Sequence, residues 1–151
     1  MEFQITEKDI DIETTSRVRY LVIIILLIMY YTGWGKEKTI SLLKIHLLLW
    51  ALKSEKRMNI VLETIENSCN NSIGFWNINL QTNSILTLMI EDGLCGYNGE
   101  KYYLKEIGFQ LVEQINKEKD IFEFEQDFLK KVKGNKLSEN KVDSLKSLWS
   151  I

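Results

Sequence analysis

With 151 residues, 45% hydrophobic and 26% charged, the chain has enough apolar material for one sizeable core and little room for a second domain. A net charge of −2 excludes a general attraction to phosphate, anionic lipid or acidic substrate, so any nucleic-acid contact has to be local. The lack of proline and the abundance of Ile, Leu, Lys and Glu predict a mostly α protein.

Residues 1–13 alternate loosely through Phe3, Ile5, Ile10 and Ile12, which suits short strands or an arm lying on another surface. Thr14, Thr15 and Ser16 offer N-caps for a first helix to about Tyr31, ended by Gly33 and Gly35, and TGWGKEKT then reads as a loop. A second helix is predicted from near Thr39 to about Ser54. A third follows at once, with Met58, Val61, Leu62 and Ile65 at one-sided helical spacing.

The Asn- and Ser-rich NSCNNSIGF is a turn. After it, Phe75, Trp76, Ile78 and Leu80 predict a short strand, and Thr82, Asn83 or Ser84 caps a helix that runs through Glu91. YNGEKYYL then predicts two strands around Asn98-Gly99, whose tolerance of positive φ suits a type I′ turn. KEIGFQLVEQINK resumes as a helix with Ile107, Leu111, Val112 and Ile115 on one face. Asp120 with Glu123 reads as a capping box for a helix to about Val132, and Ser138 caps a last helix carrying Val142, Leu145 and Trp149. Helix, tight hairpin and helix form the outline of a winged helix. The expected organisation is a single domain over 1–151, with an N-terminal arm (1–13), a winged-helix-like core (14–118) and C-terminal helices (119–151).

The uncharged run Tyr20 to Tyr31 is twelve residues long, whereas a membrane span takes about 20. An acidic stretch precedes it and no small-residue cleavage site follows, so it reads as a buried or interface helix in a cytoplasmic protein, not as a signal peptide or membrane segment. Cys69 and Cys95 lack CxxC pairing and read as reduced thiols. The single histidine, His46, has no Cys, Asp or Glu at metal-ligand spacing and reads as a satisfied structural residue, or one facing a partner, and not as a ligand. Asp92 and Glu100 near Cys95 would raise its pKa instead of activating it. The glycines of GWG and GLCGYNG do not have the spacing of a phosphate cradle, and the carboxylates are interspersed with lysines as on a solvated face. The expectation is therefore no enzyme, no cofactor, no metal and no small-molecule substrate.

A DNA-reading winged helix needs Arg, Lys, Asn or Gln on the helix before the wing. Here that helix is NSILTLMIED, without a cation and ending in Glu91-Asp92, and the wing tip from Asn98 to Lys101 is neutral. Arg17, Arg19, Lys36 and Lys38, with Lys44, form a basic group that reads first as solvated loop and helix ends and second as a weak contact to a DNA backbone. The larger anomaly is apolar: 24 of the 35 residues from Val18 to Leu52 are hydrophobic, and both helices in that stretch are apolar nearly all round. A domain this small has few places to surround two such helices, so part of their surface is expected to meet another chain, with Tyr30, Tyr31, Trp34 and Trp50 as anchors; the alternative is that the three C-terminal helices wrap the pair fully.

The succession RVRYLVIIILLIMYYTG, ISLLKIHLLLWALKS, LMIEDGL and YYLKEIGFQLVEQI resembles the middle components of bacterial ABC-three-component defence systems, including the small subunit of Lamassu-type anti-phage complexes. The resemblance covers residues 17–118 and lies in the order and character of segments, not in a catalytic signature. It implies a small winged-helix-like, non-catalytic adaptor in a hetero-oligomer. Such a subunit bridges an SMC/Rad50-like coiled-coil ATPase and an effector, often a nuclease, with an indirect contact to DNA available through the complex. The candidate strand 75–80 after the third helix departs from the ordinary winged helix, so groove-binding positions are not carried over. The alternative reading is a winged-helix DNA-binding transcription regulator.

Overall fold

The computed structural model describes residues 12–66, 80–118, 121–133 and 137–143. Its elements are α1 (Ile12–Thr32), α2 (Leu42–Ala51), α3 (Glu55–Glu66), α4 (Leu80–Glu91), β1 (Cys95–Tyr97), β2 (Tyr102–Leu104), α5 (Glu106–Lys117) and α6 (Glu123–Lys131). The fold is mostly α with a small two-stranded antiparallel hairpin, the winged-helix-like order that the sequence predicts.

Helix α1 is the axis of the core. Ile24, Ile25, Leu26, Leu27, Ile28 and Met29 are consecutive and each is at most 1% exposed. At 3.6 residues per turn, six consecutive residues sweep past every direction around a helix, so α1 is enclosed on all sides. The wall is built by α2, α4, α5, α6 and β2, all of which pack on it. This corrects one expectation: the apolar excess of residues 18–52 is largely taken up inside the chain. Ile45, Leu47, Leu48 and Ala51 of α2 are fully buried, and Leu42, Leu43, Leu49 and Trp50 are half-buried against the same core.

Several boundaries move for reasons visible in the backbone. Helix α2 starts at Leu42, not near Thr39, because Thr39 and Ile40 are used in pairing: Thr39 exchanges two bonds of 2.9 Å with Trp34, and Ile40 two of 2.9 Å with Tyr102. Ser41 is then the N-cap, its hydroxyl accepting from the Lys44 N–H at 3.1 Å. The loop 34–39 thus lends the hairpin a third, strand-like arm on the outer edge of β2, reinforced by the Leu104 N–H donating to the Glu37 carbonyl. Gly33 makes this approach feasible, since a Cβ there would lie 2.5 Å from the carbonyl oxygens of both Met29 and Lys38.

Helix α4 begins at Leu80, so Leu80 is helical and the proposed caps Thr82, Asn83 and Ser84 lie inside the helix; Thr82 is 2% exposed. The rest of the candidate strand 75–80, the arm at 1–11, Asp120, Leu145 and Trp149 lie outside the described residues. Asn98 and Lys101 close the hairpin, which leaves Gly99 and Glu100 as its two central residues. Only Gly99 has positive φ (+96°), the pattern of a type II′ turn in place of type I′. The Asn98 side chain instead accepts the N–H groups of Glu100 and Lys101. On α5 the buried positions are Gly108 and Val112, and Ile107, assigned to the inner face by spacing, is 47% exposed. Phe122, with left-handed φ of 51°, precedes α6 without a side-chain cap. Ser138 caps as expected, its hydroxyl accepting from the Lys141 N–H.

Because α1 is core and the 34–39 loop is surface, truncation at the two places should differ sharply. Leu26→Ala should lower unfolding free energy by about 2–5 kcal/mol, and Trp34→Ala by about 0.5 kcal/mol or less, both measured by urea titration.

Candidate functional site

The helix–hairpin–helix unit presents an outward face at the junction of α4 and α5. Ile90 ends α4 at 36% exposure and Ile107 begins α5 at 47%. Gly93 lies between them: its N–H donates to the Ile90 carbonyl, and a Cβ built on it would meet Ile107 Cδ1 at 3.6 Å. Glu91 and Glu106, both exposed, and Asp92, half-buried, adjoin this pair in the chain. Two part-exposed isoleucines thus stand on either side of the Gly93 turn, each next in the chain to a carboxylate. Tyr97, 49% exposed, sits 4.7 Å ring to ring from Tyr102 on the hairpin.

Of the four aromatic anchors read from the sequence, Trp34 alone is broadly exposed, at 74%. Tyr30 packs edge-on against Phe109 and Tyr31, and Lys38 Nζ lies 5.4 Å from its ring. Tyr31 donates its hydroxyl to Gln126 Oε1 at 2.7 Å. Trp50 is covered by the Arg57 guanidinium at 5.1 Å. Tyr20 donates to Glu125 across the α1–α6 contact; burial and that carboxylate push its pKa up to about 12.

The basic group does not assemble. Arg17 and Arg19 stand near the start of α1, and Lys36 and Lys38 lie beyond its end, roughly 20 Å along the axis at 1.5 Å per residue. Lys44 is not a surface cation at all: it is 3% exposed. Its Nζ donates to the Thr32 carbonyl at 2.8 Å, satisfying an acceptor left open where α1 ends. Burial pushes its pKa down to about 8, with Glu139 opposing the shift and Lys101 adding to it.

Lys44 lines a cleft of about 530 Å³ that spacing arguments could not reveal, because it joins residues from four places in the chain. The end of α1 and its loop contribute Thr32 to Gly35 and Thr39, α2 contributes Lys44, the hairpin contributes Lys101, and the C-terminal segment contributes 138–140. Glu139 ties that segment down: its carboxylate accepts from the Ser41 hydroxyl at 2.6 Å and the Ser41 N–H at 3.0 Å, at the positive end of α2.

His46 is 2% exposed, and its Nε2 has no hydrogen-bond partner, unlike the satisfied histidine expected; burial lowers its pKa. Among the described residues, no three His, Cys, Asp or Glu are grouped as metal ligands would be. Cys95 is buried and its pKa rises to about 11; burial is the main cause, Lys105 opposes it, and the carboxylates invoked from the sequence are not among the causes. No helix among the described residues is long and apolar enough to cross a membrane. Comparison with family models, curated proteins and solved structures finds no match.

Three buried titratable groups shape the pH profile, Lys44 and Cys95 at its alkaline end and His46 at its acid end. Between about 8 and 10.5 the folded chain has shed the Lys44 proton that the unfolded chain still holds, so this group makes stability rise with pH. From 9.0 toward about 11, Cys95 works the other way, because the folded chain keeps a proton the unfolded one loses. The stability difference between wild type and Lys44→Met isolates the first effect. It should shift in favour of wild type from pH 8 to 10, read as urea midpoints. Below 6.5 the unfolded chain protonates His46 before the folded chain does, so stability is lost as the pH is lowered; His46→Leu should flatten that acid limb.

Proposed function

We propose that the protein is a non-catalytic assembly subunit, cytoplasmic, that binds another polypeptide through the outward face of its helix–hairpin–helix unit. The observation that carries this reading is the open pair Ile90 and Ile107, set beside Glu91, Asp92 and Glu106 where a DNA reader would display cations. Such a surface suits a partner with an apolar anchor flanked by lysine or arginine, since apolar contact supplies affinity and charge complementarity supplies orientation. It repels a phosphate backbone.

The setting comes from the resemblance over residues 17–118. On that basis the partners are an SMC/Rad50-like ATPase and an effector, best sought as a nuclease, in an anti-phage complex, with this chain bridging the two. The enclosure of α1 changes one expectation for the chain by itself: it should fold without a covering subunit, and assembly should depend on surface residues alone.

Co-expression with the ATPase and effector encoded beside it should give a complex that survives purification. Ile90→Glu with Ile107→Glu should weaken capture by about tenfold or more, as expected for a central apolar anchor, while leaving the thermal midpoint unchanged. Failure of the unaltered chain to capture either neighbour sinks the assembly reading. Salt-sensitive retardation of its own promoter, with sequence preference, would replace it with the regulator reading.

A further inference from the structure

We propose that the cleft floored by Lys44 binds a small phosphate ester carrying a planar heterocycle, a ligand of nucleoside-monophosphate size. This goes beyond the assembly reading and uses a different surface, and it adds a small-molecule ligand that the sequence did not suggest.

The first support is an underused buried cation. An ammonium carries three donors, and among the described residues Lys44 Nζ has one hydrogen-bond acceptor, the Thr32 carbonyl. A charge buried this far is costly unless it is paired. Glu139 is the carboxylate in its field and its oxygens accept from Ser41, so it balances one lysine's charge at a distance without filling the open donors of Lys44. Lys101 brings a second ammonium to the lining of the same cleft. Two lysines with one committed glutamate leave a positive excess, and lysine binds phosphate as a point charge.

The second support is Trp34. Its backbone is fixed by paired hydrogen bonds of 2.9 Å to Thr39, so the indole is mounted on a tight loop, yet 74% of the residue is exposed at the cleft. An indole carried on a fixed backbone and left open at the rim of the cleft is a stacking platform for a flat ring. The volume of about 530 Å³ is in the range of small-ligand sites. Phosphate on the lysines and ring on the indole together define the ligand class.

Isothermal titration of the full chain with adenosine 5′-monophosphate tests this. The expected result is saturable binding at one site, with adenosine and inorganic phosphate each about tenfold weaker or worse, since each lacks one of the two contacts. Trp34→Ala and Lys101→Met should each weaken binding by about tenfold with the thermal midpoint unchanged. Lys44→Met should abolish it; if that variant does not fold, the other two still decide. Lack of heat at millimolar nucleotide overturns the proposal, as does binding that neither Trp34→Ala nor Lys101→Met alters, or equal affinity for the nucleotide and inorganic phosphate.

Discussion

Everything in this fold follows from burying one helix on all sides. A helix with a single apolar stripe needs one neighbour, but α1 is apolar around its circumference and has to be surrounded. The chain does this with α2, α4, α5, α6 and the second hairpin strand, so the inner faces of these elements are committed to one purpose. Tyr20 and Tyr31, three turns apart, reach adjacent residues of α6, Glu125 and Gln126, which holds that helix across α1 by hydrogen bonds as well as packing. What remains for recognition is whatever the wall turns outward.

The enclosed half of α1 also ends inside the protein, at the buried Thr32, and there the backbone creates a polar problem. The last carbonyls of a helix have no partner within it, and burying them unpaired is costly. Gly33 lets the chain turn at once, its N–H closing on the Met29 carbonyl at 2.8 Å. Lys44 supplies a donor to Thr32 from the next helix. An ammonium in that position answers the helix dipole, but it is itself a charge out of water. The cleft beside it is thus a consequence of how α1 is terminated, and its chemistry is inherited from that solution.

This explains which features were legible in the sequence. The hairpin was, because Gly99 and the tyrosines on either side act locally; the shift from type I′ to II′ is a difference of one residue in which pair is central. Helix α3 was, because Met58 and Val61 repeat at the spacing of a one-sided surface helix. The start of α2 was not, since Thr39 and Ile40 are withdrawn from it by pairing with Trp34 and Tyr102, a tertiary choice that propensity does not encode. The role of Lys44 was hidden for the same reason. In the sequence it is one more lysine near Lys36 and Lys38, and only the fold carries it inward while they stay on the loop. Apolar excess was visible, but whether it is covered by the same chain or another depends on the placement of α5 and α6, elements of ordinary amphipathic pattern.

The winged-helix outline carries less functional information than its outward residues. The shape arises here because a hairpin between two helices is a compact way to finish the wall around α1, and such a shape serves many functions. From Leu80 to Glu106 the chain presents four carboxylates and two lysines. Binding to a duplex depends on cations that release counterions from phosphate, and a surface with that balance would meet the backbone with repulsion before any base could be read. One of the two lysines, Lys101, belongs to the cleft lining and not to the α4 face. The open apolar residues Ile90, Tyr97 and Ile107 offer nothing to phosphate, so the outline of a winged helix is kept here without the cations by which such an outline grips a duplex.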